Sequence, residues 1–213
     1  MHGLPNITEK RDAALAASNS PRNVHDHLKG LTVDELKAVS DADRVPWHTL
    51  CLNVTGDLNV GTMIRTSHCL GAKSVIIFGR QKIDNRSLVG AANYIRVERA
   101  RAIDEKLVMD PQIFLDLLSA RNLTPVFVES GGLPVSRIDW KLRLGEMARR
   151  GTEPCLIMGN ETDGIPSEIL DLSRLFPNSF VTSIPQRGVI RSMNVAVAHS
   201  IVSSHLCTAM DWM

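Results

Sequence analysis

Apolar residues along this chain fall in short runs, separated by polar, glycine-containing stretches and by segments with helical spacing. Leu50-Cys-Leu-Asn-Val54 is bounded by Thr55-Gly-Asp57, the pattern of a buried strand. From about Asn59 the period changes. Val60, Met63, Ile64 and Ser67 share one face at helical spacing, and Gly71 stands where a helix C-terminus favours glycine. The alternation then repeats. Ser74–Phe78, Pro125–Glu129, Cys155–Met158 and Phe180–Ile184 read as strands, and Ile113–Ala120 and Ser192 to about Thr208 as helices. Such alternation predicts an α/β fold, a mostly parallel sheet with helices on both faces. Ligands of these sheets gather at the carboxyl ends of the strands, and here those ends carry three polar stretches containing glycine.

Residues 1–46 do not share the pattern. They are polar, contain Ser18-Asn-Ser-Pro21, and offer one short helix from Thr32 to Val39, with Thr32 and Glu35 at capping-box spacing. With Pro46 closing it, this segment is expected to be an N-terminal extension to a single domain at 47–213. No stretch approaches the roughly 18 apolar residues of a membrane helix. The N-terminus, with Glu9, Lys10, Arg11 and Asp12, lacks an apolar signal core. Cys51, Cys69, Cys155 and Cys207 are widely spaced without a CxxC pair, as expected of a reduced, cytoplasmic protein without a zinc site. His25 and His27 could grip a metal only with further ligands that the neighbourhood lacks, so a solvated surface is the better reading. A net charge of +1 requires any nucleic-acid enzyme to gather its cations locally. Arg80, Lys82, Arg86, Arg96, Arg99, Arg101 and Lys106 do cluster, but against Asp84, Glu98, Asp104 and Glu105, which permits RNA binding without requiring it.

The chemistry lies in the three strand-end stretches. In the first, Asn59 and Gly61 open a helix on which Arg65 rides. Asparagine is a good helix cap and glycine permits close backbone approach. The plainer alternatives are that Asn59 merely caps and that Arg65 pairs with a surface carboxylate. In the second, Met158 leads into Gly159-Asn-Glu161-Thr-Asp-Gly164-Ile-Pro166, with Pro166 at the favoured first position of a helix. Backbone groups freed by glycines suit the reading of a nucleoside. Neither a phosphate-loop lysine signature nor a G-x-G-x-x-G occurs, which counts against an ordinary nicotinamide enzyme. The third runs Ile184-Pro-Gln-Arg-Gly188-Val-Ile-Arg-Ser192-Met-Asn194-Val into a helix whose Val195, Val197, Ala198, Ile201 and Val202 make it apolar on nearly all sides. A helix that broad in its apolar face needs a large core or a second subunit, and a homodimer is expected.

Together the three stretches resemble, in order and spacing, the motifs of the SpoU/TrmH branch of the SPOUT methyltransferases. Asn59, Gly61 and Arg65 match N-x-G-x-x-x-R. Gly159, Glu161 and Gly164 match G-x-E-x-x-G. Ile184, Pro185, Ser192, Met193, Asn194 and Val195 match I-P-(x)n-S-L-N-V, with methionine replacing leucine, a near volume-conserving change. The resemblance covers residues 48–208. It implies a SPOUT-type sheet with a C-terminal trefoil knot, two subunits completing each active site, and S-adenosylmethionine as cofactor without metal. It implies methylation of a ribose 2′-hydroxyl in RNA, with transfer RNA favoured over ribosomal RNA. The alternatives are a ribosomal RNA substrate, or a non-catalytic RNA-binding protein of the same fold, which intact motif residues argue against. By the same resemblance Arg65 is catalytic, with Asn59, Glu161, Ser192 and Asn194 around it. Gly159, Ile184 and Met193 fall on cofactor contacts, and Gly164, Gly188 and Ser130, with Gly131, are expected to border the cofactor. A guanidinium keeps its proton at neutral pH and is a poor base, so Arg65 activates the hydroxyl either as a base or by stabilising developing charge.

Overall fold

The computed structural model describes residues 23–79, 83–100 and 110–210, and the chain divides into two compact units, residues 1–31 and 32–213. In the first, Asp26–Leu28 form a turn of 3-10 helix, Lys29 pairs with Asp26 at 2.5 Å, and the His25 and His27 rings stack 5.8 Å apart.

The second unit opens on α1 (Val33–Ala42). The Thr32 hydroxyl accepts from the Glu35 N–H at 3.3 Å, while the Glu35 carboxylate accepts from the Thr32 N–H at 2.7 Å, a reciprocal cap. This helix, which the hydropathy pattern placed in the extension, belongs to the larger unit, and Pro46 lies inside a strand. There follow β1 (Val45–Leu52), α2 (Asp57–Cys69), β2 (Ala72–Phe78), α3 (Asn85–Leu88), β3 (Arg96–Ala100), α4 (Pro111–Ser119), β4 (Leu123–Pro134), α5 (Trp140–Arg149), β5 (Glu153–Met158), α6 (Ser167–Asp171), β6 (Phe180–Ser183) and α7 (Val195–Ala209).

The six strands pair in parallel in the order β3-β2-β1-β5-β4-β6, the α/β sheet expected from the alternation. Successive side chains enter opposite cores. Cys51 joins Val60, Met63, Ile64, Trp140 and Leu206 beneath α2, α5 and α7, whereas Leu50 and Leu52 join Phe114, Leu118, Phe127 and Ile169 beneath α4 and α6. Where both faces are buried, as in β2 and β5, the strands read as continuous apolar runs. Among the described residues no helix is long and apolar enough to cross a membrane.

Two contacts fix α2, which carries the first motif. On one side Thr49 Oγ1 lies 2.9 Å from His199 Nε2 and 3.0 Å from Ser67 Oγ, a buried polar junction of β1, α2 and α7. Burial holds the His199 imidazole down at about 3, so the junction is neutral. On the other side Gly61 meets α3. A Cβ there would lie 1.8 Å from Ser87 Oγ and 3.1 Å from the Asp84 carbonyl oxygen. Gly61→Ala is therefore expected to cost about 1–3 kcal/mol through overpacking, measured by chemical denaturation, and a Ser87→Gly partner change to recover most of it. An unchanged midpoint in the single variant would contradict this close approach.

Two expectations are corrected in α7. Its cap is Asn194, not Ser192, and Val202 lies with Ala196, Leu206 and Cys207 in the chain's own core. The apolar surface left to a second subunit is narrower than the sequence implied. It centres on Val197 and part of Ile201, along a groove of about 700 Å³ that Asn59, Thr62, Ser200 and His205 also line. Of the basic cluster, Arg80, Lys82, Arg101 and Lys106 lie outside the described residues. Arg86 is paired with Asp84, and Arg96 shares Glu98 with Arg121.

Candidate active site

The second motif is built around its two glycines. Asn160 and Gly164 exchange two backbone hydrogen bonds of 3.0 Å, and the Asn160 side-chain oxygen accepts from the N–H groups of Thr162 and Asp163. Gly164 takes a φ of 70°, and a Cβ on it would lie 2.5 Å from Glu129 Oε2. Gly159 lies so close beneath that a Cβ would meet the Gly164 carbonyl carbon at 2.5 Å. Both positions thus need glycine for steric reasons. Pro166 precedes the helical residues of α6 as its cap, one place earlier than expected.

This tight loop projects Glu161 toward the first motif. One carboxylate oxygen accepts from the Thr55 N–H at 2.8 Å and its hydroxyl at 2.9 Å. The other accepts from the Gly56 N–H at 2.9 Å and the Asn59 side-chain amide at 2.8 Å. Burial pushes the Glu161 carboxyl up, but the bonds from Asn59 and from backbone N–H groups outweigh it and hold the pKa at about 2. Helix α2 begins at Asp57 with Gly56 as its cap, so Asn59 is freed from capping. It links motifs instead: its side-chain oxygen accepts from Asn194 Nδ2 at 3.0 Å. Asn194 does both jobs. Its own oxygen accepts from the N–H groups of Ala196 and Val197, capping α7.

Beneath this network, at the carboxyl ends of β4, β5 and β6, lies a cavity of about 370 Å³. Ser130, Gly159, Glu161, Gly164, Ile184, Ser192 and Met193 line it. Ser130 gets there because the β4–β6 ladder breaks between Val128 and Leu133, pushing residues 129–132 out over the strand ends before β4 resumes. Glu129, which no sequence pattern singled out, latches two walls. Its carboxylate accepts from the Ser130 N–H at 2.8 Å and the Ile165 N–H at 2.9 Å. Arg191 ties a third wall down by donating to the Thr162 carbonyl at 2.9 Å. Another cavity, of about 380 Å³ and lined by His48, Lys73, Arg96, Arg121 and their carboxylate partners Glu98 and Glu153, holds none of the motif residues.

The sequence profile described as the SpoU rRNA Methylase family matches residues 47–204. The chain belongs to that family. Among curated proteins none matches it. Its fold is similar to that of the A. aeolicus TrmH/SpoU tRNA modifying enzyme, with a TM-score of 0.62 at 19% identity, over 84% of this chain and 82% of that one. It is also similar to an AdoMet-bound rRNA methyltransferase from Sinorhizobium meliloti, with a TM-score of 0.59 at 24% identity, over 80% of this chain and 59% of that one. The SpoU methyltransferase AviRb from Streptomyces viridochromogenes, in complex with the cofactor AdoMet, gives 0.58 at 22% identity, over 79% and 58%. The chain thus spans a little under three fifths of the last two.

In this SpoU-family chain the motif residues do not all converge. Asn59, Glu161 and Asn194 form one network, and Gly159, Gly164, Ser130, Ile184, Met193 and Ser192 share one cavity. Arg65 stands apart, exposed on α2, outside the cavity lining and with no hydrogen-bond or ion-pair partner among the described residues. Gly188 is also exposed and outside the lining, and a Cβ there would meet nothing within 4 Å. Gly56 holds Glu161 through a backbone N–H, which leaves no residue signature, and Thr55, which adds its hydroxyl, stands out in the sequence only as bounding a strand.

Proposed function

We propose that this SpoU-family methylase transfers a methyl group from S-adenosylmethionine to a ribose 2′-hydroxyl of transfer RNA. The observation that carries the reading is the Glu161–Asn59–Asn194 network, which joins all three motifs beside one cavity at the strand ends. That cavity has the size of a small-molecule site, in the range of about 300–1,000 Å³. Its residues fit an adenosyl group: backbone laid bare at Gly159 and Gly164, with apolar side chains of Ile184, Met193 and Met158 alongside. When bound, S-adenosylmethionine supplies a methyl group that is already electrophilic, so the chain's own task is to position the hydroxyl and remove its proton.

Glu161 is not suited to take that proton. A carboxylate at about 2, with both oxygens already accepting two bonds each, is a weak and occupied base, so it acts as a positioning residue. Of the motif residues given a catalytic role, the two whose side chains have no hydrogen-bond or ion-pair partner among the described residues are Ser192, in the cavity lining, and the exposed Arg65. In this reading Arg65 stabilises the developing alkoxide or holds the adjacent phosphate, roles that a permanently charged guanidinium fills better than base catalysis. A second copy of the chain along the α2–α7 groove would bring further groups to the site, and that groove begins at Asn59 and Asn194.

Transfer RNA is favoured because the A. aeolicus enzyme, described as tRNA modifying, is matched over most of both chains, whereas the rRNA methyltransferase from Sinorhizobium meliloti is matched over 59% of its own length. Nucleoside mass spectrometry of purified tRNA and rRNA, each incubated with the protein and S-adenosylmethionine, should show a new 2′-O-methylated nucleoside in the tRNA digest. Product confined to rRNA would replace the substrate, and a methylated base would overturn the ribose assignment. Light scattering should give twice the 23.4 kDa chain mass, and a monomer at micromolar concentration would remove the dimer.

A further inference from the structure

The third motif contains a segment that neither the network nor the cavity uses. Val189 is 101% exposed and Ile190 73% exposed, the two highest values among the large hydrophobics of the described residues. Scattered single apolar residues on a surface are ordinary. An adjacent pair at a loop tip, bracketed by Arg187 and Arg191, is not that pattern. The loop also borders the cavity through Gln186, Arg191 and Ser192. Its far side is anchored where Arg191 donates to Thr162, while Arg187 is exposed and has no partner among the described residues. The tip therefore stands at the cavity entrance, tied at one end, with two apolar side chains in water between two cations.

Resting on the RNA reading above, we propose that Val189 and Ile190 form a wedge that packs against the bases flanking the target nucleotide, with Arg187 on a neighbouring phosphate. A ribose hydroxyl is most readily presented to a recessed cavity from a single-stranded loop, and the unstacked bases of such a loop expose apolar faces. Apolar side chains wedge between bases in nucleic-acid complexes, and arginines neutralise the phosphates alongside. A two-fold contact between copies of this loop is the rival occupant. It would set Arg187 and Arg191 against the same residues of the second copy, which like charges oppose.

Three measurements test this. Binding of unfractionated tRNA is followed by fluorescence anisotropy across a salt series, S-adenosylmethionine binding by calorimetry, and mass by light scattering. The Val189→Ser/Ile190→Ser variant should bind tRNA about tenfold more weakly at every salt concentration, as expected for lost stacking contact. Its cofactor affinity and mass should match the wild type. Arg187→Gln should instead lower the slope of log affinity against log salt by about one. Unchanged tRNA affinity in the serine variant overturns the wedge, as does no tRNA binding by the wild type. A changed mass with unchanged tRNA affinity assigns the tip to contact between copies and also overturns it. A wild type that binds tRNA with the expected wedge effect but binds no S-adenosylmethionine would sink the methyl-transfer reading and leave the wedge standing.

Discussion

Arg65→Ala should lower methyl transfer to RNA by about two orders of magnitude or more and leave S-adenosylmethionine binding within about twofold, as when a group acting mainly in the transition state is removed. Two structural facts separate these effects. Arg65 is exposed and lies outside the cavity lining, so its loss does not alter the cofactor walls. It has no hydrogen-bond or ion-pair partner among the described residues, so truncation breaks no polar native contact and the melting temperature should hold. The variant is therefore a clean kinetic probe. Arg65→Lys divides its possible roles. A planar, two-point contact to phosphate is poorly replaced by an ammonium, and the rate stays low. A bare positive charge beside an alkoxide is replaced well, and the rate largely returns. Near wild-type turnover by Arg65→Ala would remove the residue from the site.

Glu161→Gln should cost about a hundredfold in transfer and, unlike the arginine change, also weaken the fold. Each carboxylate oxygen faces two donors, so whichever way glutamine is turned, its NH2 points at N–H or O–H groups. The pH dependence carries the sign. The folded pKa of about 2 lies below the ordinary 4.5. The stabilisation is thus fully present above about pH 4.5 and is lost as pH falls through the window toward 2. Urea denaturation at stepped pH should show wild-type stability falling across that window, with a shallower fall for Glu161→Gln. Identical slopes would mean that the carboxylate is not held as described. Glu161 is partly exposed, and solvent screening keeps the size of this effect modest.

What the sequence made legible follows from where apolar side chains go. β2, β5, the second half of β1 and the first half of β4 are buried on both faces and stand out as apolar runs, while the edge strand β6, whose burial alternates, was read from its apolar start at Phe180 and Val181. β3 was missed because Arg96, Glu98 and Arg99 on this edge strand break the pattern. Glycine signals worked where a Cβ has no room, at Gly61, Gly159 and Gly164, and failed at Gly188, where space is open. The starts of α2 and α7 were misplaced because the residues that look like caps are not the caps: Asn59 sits inside α2, and Ser192 precedes the true cap, Asn194. Glu129 was invisible for another reason. Its partners are the backbone N–H groups of Ser130 and Ile165, and it reaches them only because β4 bulges. The breadth of the α7 apolar face misled, since periodicity does not distinguish a residue buried in its own core, such as Val202, from one awaiting a subunit.

The chain of amides from Glu161 to α7 has a direction. A carboxylate can only accept and the α7 N–H groups can only donate, so neither Asn59 nor Asn194 can rotate its amide end for end without setting like against like at both of its contacts. The two side-chain dipoles are therefore aligned head to tail, their positive ends toward the Glu161 charge and their negative ends toward the helix terminus. Each link polarises the next. The three loops are thereby wired in series, and a change of a single heavy atom in the middle of the wire, oxygen for nitrogen at position 59, would set two carboxylates against each other at Glu161 while leaving the bond from Asn194 in place.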